Sequence, residues 1–518
     1  MTSDFSKALQ KNTKEKEYSD ASESLEFSKQ ASLEYQENCL NIIWFCCDLV
    51  AGSVAHKLIQ EGNNVVIAQI YDKKDLDKEE DDVSKERRLS LYDGMMEKRD
   101  HKKVLNLMKK MSDEDKKKWI IWFEFNELAP IAEEVLTMGF TRGLFPTTDD
   151  LKLEEDREFA KRIVEKHYPD LTLGEVMKFS DVESGKEFLE ETDKIWVLKG
   201  STDGAITVVP YNDDPELAKR TLIDALEAHK ADYENGGYIL EEKIIGMLEI
   251  TPQCVWLDGK IVFTDIDIEN KPIAAENVSV QTGAMQTLVI KTKLKDKIND
   301  IAFPEWIQKE AKKHTGLFIF DASMLVKDGV YYFGEFCANR WGFDSFFAEL
   351  AMAGSCTDFF TKLFNGENPL AEDFGVAVRG LNMHKDDKER RVLEGVSMTS
   401  EDQDNTWIFD CKEDEGKYVS VGTSWDLAVF TGVGDSVNKA TEEAYEVLNK
   451  FAFDAMFFRG KEDFLSFGYI SSIPNRYTKL NHELFEGKDM EDMGDYEMKK
   501  SMKELQDKVE LALKEDGE

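Results

Sequence analysis

Four groups of residues between Ile195 and Asp344 have the types and order that handling a nucleoside triphosphate requires. Lys199 ends an apolar run and opens the turn KGSTDGA. A lysine neutralises phosphate oxygens, and glycines such as Gly204 let backbone N–H groups approach them with no Cβ in the way. The next run, YILEEKIIGMLE, reads as an edge strand Tyr238–Glu242 whose backbone can meet an adenine, with Glu249 as an acceptor for ribose hydroxyls. Asp321 and Glu335 fall near the start of one strand and the end of the next in a hairpin. Two carboxylates on adjacent strands, facing the same way, can hold Mg²⁺ while phosphate oxygens and water complete the octahedron. Asn339 and Arg340 follow at once, and Arg340 can balance charge as a phosphoryl group moves to an incoming carboxylate. Such a transfer needs help, since two unit negatives about 4 Å apart repel by roughly 4 kcal/mol at an effective dielectric of about 20. Taken singly, each feature also has a plain structural reading: a solvated lysine, a charged edge, an acid paired with a base. Their joint order is what points to chemistry.

Hydrophobic periodicity supplies the elements that must hold these residues. A strand at Asn41–Phe45, a turn at Gly52-Ser53, a helix over Ala55–Glu61 and a strand at Asn64–Tyr71 make a β-α-β unit of a doubly wound sheet. After the charged stretch Lys73–Lys118 the alternation continues with Trp119–Phe125, a helix over Leu128–Met138 and a short strand at Gly143–Phe145. Beyond it the pattern predicts helices over Glu154–His167, Ser184–Glu190 and Pro215–Tyr233. Between them it predicts strands at Glu175–Phe179, Ile195–Lys199 and Ala205–Pro210. Strands then dominate: Gly237–Glu242, Leu248–Leu257, Lys260–Asp267, and the hairpin Leu317–Val326 and Val330–Phe336 turned by Asp328-Gly329. The block Asp373–Asp463 mixes strands with an amphipathic helix, Val437–Phe451, and WGFDSFFAEL reads as core packing. A chain of 518 residues exceeds what one core supports. The expected division is a polar extension (1–39), an N-terminal α/β domain (40–150), a nucleotide-binding unit (151–370, with a lid near 151–241), a C-terminal α+β domain (371–475) and an acidic helical tail (476–518).

Charge narrows the partners. Lys+Arg number 66 against 104 Asp+Glu, a net charge of −38. That balance argues against sequence-independent nucleic-acid binding, which needs a basic face, and against an anionic membrane surface, while allowing a small anionic ligand. No apolar run reaches 18 residues, and the first twenty residues lack the apolar core of a secretory signal. Seven scattered cysteines without zinc-ligand spacing fit a reducing cytoplasm, the expected location. His56 reads as a solvated helix histidine, and nothing in the sequence specifies an oligomeric state.

Three separated stretches carry a resemblance to a known family. EDREFAKRIVEKHYPDLTLGEVMKFSDVESGKEFLE resembles the segment that opens the ATP-grasp region of the phosphoribosylamine–glycine ligases. TDIDIENKPIAAENVSVQTGAMQTLVI resembles the family's Thr-Gly-Gly-Met loop, here Thr282-Gly283-Ala284-Met285, and LAVFTGVGDSVNKATEEAYEVLNKFAFDAMFFRGKEDF is similar to its C-terminal domain. The resemblance spans about residues 40–463. It implies an ATP-grasp fold of class α/β, with an N-terminal doubly wound domain, a lidded nucleotide-binding domain and a small C-terminal domain. It implies MgATP-dependent phosphorylation of a carboxylate, glycine in the family, followed by attack of an amine, phosphoribosylamine in the family, to give an amide, ADP and phosphate. Mn²⁺ is the alternative ion.

Carried onto this sequence, the resemblance implies nucleotide contacts from Arg157, Lys199, Gly204, Glu241, Glu242, Lys243, Ile244 and Glu249. The implied metal ligands are Asp321, Glu335 and Asn339, with Arg340 and Lys199 catalytic. The implied substrate contacts are Gly52, Ser53, Asp267, Asn277, Thr282, Gly283 and Met285. The sequence also departs from the family. Its Gly-Gly-Arg-Glu-His loop, which would hold the amine's phosphate at a helix N-terminus, is here CCDLVAGSVAH, and its Glu-Phe-Asn-Cys-Arg is EFCANR. The loop KGSTDGAITVV is shorter and lacks a second lysine. Three readings therefore stand open: the family's own reaction, the same chemistry on another amine, and a non-catalytic binding protein on the same fold.

Overall fold

The apolar run at 41–46 becomes the buried centre of a four-stranded parallel sheet in the computed structural model, which describes residues 33, 35–47, 49–70, 82–200, 207–211, 213–245, 248–274, 281–327, 329–382, 405–451 and 456–461. Its strands are β1 (Asn41–Cys46), β2 (Asn64–Gln69), β3 (Lys98–Asp100) and β4 (Ile120–Phe123), in the order β3-β2-β1-β4. Near-continuous apolar sequence is what a parallel strand covered on both faces demands, and IIWF recurs in β1 and β4 for that reason. Helix α1 (Gly52–Gln60) joins β1 to β2. Strands β2 and β3 lie on one side of β1 and β4 on the other, so the winding reverses between β1 and β4.

The unit expected to begin near residue 151 opens with two helices where the sequence pattern predicts one. α2 (Thr148–Glu155) and α3 (Arg157–His167) are separated by Asp156, whose carboxylate caps α3 by accepting the Phe159 N–H (2.9 Å). Thr147 and Asp150 form a reciprocal capping box on α2. The short strand β5 (Leu171–Thr172) follows, then β6 (Val176–Phe179), β7 (Trp196–Gly200) and β8 (Tyr238–Glu242), and the last three form a separate antiparallel sheet in the order β6-β8-β7. β8 is therefore a central strand, not the edge strand expected from the sequence. Its backbone is paired with β6 and β7 on both sides up to Glu242, because the apolar residues Tyr238 and Leu240 need covering from both flanks. The expected strand at 205–210 is reduced, among its described residues, to one bridge between Leu198 and Val208.

The remaining strands build one large sheet: β9 (Leu248–Leu257), β10 (Lys260–Pro272), β11 (Gln281–Lys291), β12 (Leu317–Lys327), β13 (Val330–Ala338), β14 (Phe374–Asn382), β15 (Thr406–Ile408), and, after the hairpin β16 (Cys411–Asp414) and β17 (Lys417–Ser420), β18 (Asp426–Gly434) and β19 (Met456–Phe457). The order is β15-β18-β14-β11-β10-β9-β12-β13-β5, with β19 beside β14. The expected boundary near residue 370 does not interrupt this sheet, since β14 pairs with β11 through Gln286↔Val378 to Ile290↔Phe374. Helix α4 (Phe343–Ala353) carries the aromatic run expected in the core, with Trp341, Phe346 and Phe347 buried. α5 (Val437–Phe451) has the predicted bounds. Among the described residues no helix is long and apolar enough to cross a membrane.

One buried polar pair makes stability depend on pH. His314 Nε2 lies 3.0 Å from Asp150 Oδ1. Burial opposes its charge, yet the hydrogen bond to Asp150 and that carboxylate's charge raise its pKa above the ordinary histidine value. A raised folded-state pKa adds stability that is complete below the unfolded value of about 6.5 and is lost as pH climbs through the folded value. Asp150→Asn should therefore lower the urea midpoint more at about pH 5.5 than at about pH 8.5. A pH-independent loss would show that the pair acts only through its hydrogen bonds.

Candidate active site

Period-two alternation along β10 puts Asp265, Asp267, Glu269 and Lys271 on one face of the large sheet. β10 runs on to Pro272 instead of ending at Asp267, and this brings Glu269 and Lys271, which sequence reasoning missed, into the site. The signal was present as the alternation DIDIENK. Lys271 Nζ lies 2.7 Å from Glu249 Oε1 and 3.6 Å from Glu269 Oε2, and the Ser323 hydroxyl donates to the same Glu249 oxygen (3.2 Å). Burial pushes the Glu269 carboxyl up to about 7; Lys271 opposes that shift, while Glu249, Asp344 and Glu335 add to it.

The hairpin of β12 and β13 delivers the carboxylate pair. Asp321 lies opposite Cys337 and Ser323 opposite Glu335, so all four share one face. A bulge at Gly334 keeps this facing, because the register shifts between Ser323 and Met324. A Cβ at Gly334 would stand 3.0 Å from the Ser323 carbonyl oxygen. Asp321 is buried with Oδ1 lacking any hydrogen-bond partner, while Glu335 is exposed. Burial pushes the Asp321 carboxyl well up, and nearby Asp267, Glu154 and Glu269 reinforce this. Among the described residues no group of three or more acids, histidines or cysteines converges as a ready metal cage. That donor set fits Mg²⁺, which is usually held by one or two carboxylates and completed by substrate phosphates and water.

Asn339 is a correction to the expected metal set. Its side chain is buried, accepts the Ile319 N–H (3.1 Å) and donates to Asp150 (2.8 Å) and to the Phe145 carbonyl (3.3 Å). A buried amide engaged by three protein groups is committed to the fold, and its φ of 51° turns the chain out of β13. Arg340, the next residue, donates to Glu154 Oε1 (2.7 Å). The other Glu154 oxygen accepts from Asn126 Nδ2 (2.7 Å) and from the Cys337 thiol (3.4 Å). Burial opposes the Arg340 charge, but Cys337, Glu154, Glu127 and Glu335 together hold its pKa above the usual value. Glu154 and Asn126 thus tie the end of β4 to the large sheet.

The segment expected to form a lid carries lysines. Lys199 on β7 pairs with Glu241 on β8, and Lys161 of α3 reaches the same carboxylate at 2.9 Å. Burial would raise the Glu241 pKa, yet the two lysines hold it below the ordinary value. Arg157 is exposed at the first turn of α3, and it is Lys161, one turn on, that joins Lys199. The i, i+4 spacing was the signal available for Lys161. Glu242 pairs instead with Lys194 (2.9 Å). The Lys243 N–H closes onto the Ile195 carbonyl, its Nζ binds the Pro210 carbonyl and Asp213, and the chain leaves the sheet at Ile244. Gly204 and Asn277 lie outside the described residues.

Further along the same face, covered by α4, lies a buried acidic layer. Glu349 accepts from Trp341 Nε1 (2.9 Å) and from Gln253 Nε2 (2.8 Å), and Gln253 Nε2 also lies 3.3 Å from Asp265 Oδ1. Burial pushes Asp265, Asp267 and Glu349 well up; Asp265 adds to the shift of Asp267, and both aspartates add to that of Glu349. Such carboxyls are most cheaply buried neutral. Asp267, expected to touch substrate, belongs to this layer. Thr282 donates to the Lys271 carbonyl (2.6 Å), pinning β11 to β10; Gly283 faces open space and Met285 is buried. Gly52 and Ser53 are buried at the start of α1. His56 is not solvated: it is lodged between the Met95 carbonyl (3.2 Å) and the Tyr418 hydroxyl (2.9 Å).

One face of the large sheet thus carries carboxylates and a lysine, with an arginine just beyond the end of β13. Comparison with solved structures places the fold. Phosphoribosylamine–glycine ligase from Thermotoga maritima superposes with a TM-score of 0.54 at 14% identity, over 81% of this chain and 99% of that one. The biotin carboxylase domain of 2-oxoglutarate carboxylase from Hydrogenobacter thermophilus gives 0.48 at 13% identity, over 81% of this chain and 91% of that one. N5-carboxyaminoimidazole ribonucleotide synthetase in its ADP complex also gives 0.48 at 13%, over 80% and 98%. No family model and no curated protein sequence matches the chain. The first likeness shows the fold: the chain has the α/β fold of phosphoribosylamine–glycine ligase, the ATP-grasp fold anticipated from its sequence.

Proposed function

We propose that this protein is an ATP-dependent ligase that joins a small carboxylate, such as an amino acid, to an amine through an acyl phosphate. The observation that carries the reading is the single face that bears Asp321, Glu335, Lys271 and Glu269, with Arg340 in electrostatic reach of Asp321 and Glu335. In the first step a carboxylate oxygen attacks the γ-phosphorus and ADP leaves. In the second the amine nitrogen attacks the acyl carbon, inorganic phosphate leaves and the nitrogen loses a proton. Arg340 neutralises charge on the transferred group, Lys271 orients the carboxylate, and Glu269, poised near 7, is suited to take the proton. Asp321 and Glu335 would hold Mg²⁺, which offsets charge on the phosphates when bound. Lys161 and Lys199 would bind phosphate oxygens in place of Glu241, and closure of the lid would keep water from the acyl phosphate. A reducing cytoplasm suits the buried thiols Cys254, Cys356 and Cys411.

The test is ADP release with MgATP and a panel of amino acids, with and without phosphoribosylamine generated in place. Amino-acid-dependent release supports the reading, and nucleotide binding without release under any pairing would turn it to a non-catalytic binding protein. Lys161→Ala and Lys199→Ala should each weaken equilibrium binding of a fluorescent ATP analogue at least about tenfold, equivalent to about 1.4 kcal/mol. Lys199→Arg should retain most of the affinity. Unchanged affinity in both alanine variants would place the triphosphate elsewhere.

A further inference from the structure

An arginine assists phosphoryl transfer only when its planar fork is held at the right angle, because its stem is flexible and its charge is spread over five N–H groups. Arg340 comes just after β13, where no strand ladder fixes the chain. Its guanidinium is instead held from two sides. Nη1 donates to Glu154 Oε1 (2.7 Å), and the group lies over the Phe125 ring, 5.8 Å from the ring centre. The other guanidinium N–H groups meet no acceptor among the described residues, and the side chain is 29% exposed. A fork anchored at one tip and laid on a ring keeps its remaining N–H groups in a fixed direction, open to a ligand. Asp321 and Glu335 lie within reach of its charge.

Glu154 is suited to be the anchor because it cannot swing. Its second oxygen accepts from Asn126 Nδ2 (2.7 Å) and from the Cys337 thiol (3.4 Å). Asn126 is fully buried and also donates to the Ala338 carbonyl (3.1 Å), so one amide steadies both the carboxylate and the strand end that leads to the arginine. Phe125 and Asn126 are consecutive, and the short segment after β4 thus supplies the ring at Arg340 and the amide behind Glu154. Glu154 projects from the last turn of α2, four residues after Asp150 and therefore on the same face. Asp150 accepts from Asn339 Nδ2 (2.8 Å), while its capping box with Thr147 and its contact with His314 fix the start of the helix. Successive turns of α2 grip the successive residues Asn339 and Arg340.

We propose that Glu154 is the positioning residue for Arg340, acting on the reaction only by presenting the guanidinium's free N–H groups to the phosphoryl group in transfer. The proposal rests on the ligase reading of the same site. Glu154→Ala, Arg340→Ala and the double variant form a cycle that tests it. In amino-acid-dependent ADP release, Glu154→Ala should lower kcat about tenfold to thirtyfold and leave the KM for ATP within about twofold of the wild type. The double variant should be no slower than Arg340→Ala, because without the arginine there is nothing left to position. Glu154→Gln, whose amide oxygen can still accept the Nη1–H, should recover most of the rate. Wild-type kcat in Glu154→Ala with only a lower melting temperature, or losses that multiply in the double variant, would overturn the assignment. A second readout needs no ligation: the affinities of the four proteins of the cycle for MgADP and for the magnesium complex of the non-hydrolysable β,γ-imido analogue of ATP. The wild type should favour the triphosphate, and Glu154→Ala and Arg340→Ala should each lose at least about threefold of that preference, with no further loss in the double variant. If no substrate pairing releases ADP, the ligase reading fails and this ratio decides the role of Glu154; the same ratio in all four proteins would overturn it.

Discussion

Glu335→Gln is expected to lower ADP release by about a thousandfold while leaving the melting temperature close to that of the wild type. The side chain is exposed on the open face, so folding loses little when its charge is removed. Chemistry loses far more. Beside it stands Asp321, buried, with one oxygen unpartnered and its pKa driven up by burial and by three further acids. Such a carboxyl ionises readily only when a cation arrives, and one carboxylate alone holds Mg²⁺ poorly. Losing a charge-stabilising group of this kind costs about 3–4 kcal/mol of transition-state stabilisation. The variant should also need much more Mg²⁺ for half-maximal rate. Near-normal turnover at ordinary Mg²⁺ would mean that the metal is held elsewhere.

Arg340→Ala should be nearly as damaging but should differ in kind. It removes the positive charge that faces the transferred group, and it strands Glu154, whose oxygens would keep only Asn126 and the Cys337 thiol. A kcat reduction of about a hundredfold to a thousandfold is expected, accompanied by a lower melting temperature because a partly buried charge loses its partner. Arg340→Lys separates the two effects. A lysine restores charge near Glu154 without the planar fork, so stability should largely return while kcat stays depressed. If kcat and KM in Arg340→Ala match the wild type and only the melting temperature falls, Arg340 is a structural ion-pair partner.

What could be read along the chain is what depends on local pattern. Strands β1, β2 and β4, α5 to the residue, the β12–β13 hairpin and the Asp321–Glu335 pair follow from period, turn residues and the facing rule of paired strands, which act over a few residues, whereas β3 lies unmarked in a charged stretch. The errors share a physical cause. Whether β8 is an edge or a centre strand depends on β6 and β7, which lie far away in sequence. β10 was cut short at Asp267 because Glu269 and Lys271 look like loop residues until β9 and β11 cover their backbone. Arg157 and Lys161 sit on one helix, and only the position of Glu241 selects the second. Asn339 looks like a ligand by spacing, yet Asp150 and Ile319, from other elements, consume its amide.

The sequence by itself determined the class of fold, the order of its elements and the kind of chemistry its carboxylates, lysines and arginine suit, because propensity, periodicity and charge are properties of neighbouring residues. Only the tertiary structure decided which of those groups face one another: Glu154 under Arg340, Lys271 against Glu249, and Asn126 behind Glu154. Those contacts join residues separated by tens to hundreds of positions. A carboxylate beside an arginine, a lysine or an amide N–H has a different charge, pKa and purpose in each place, and no local pattern records which neighbour folding will supply.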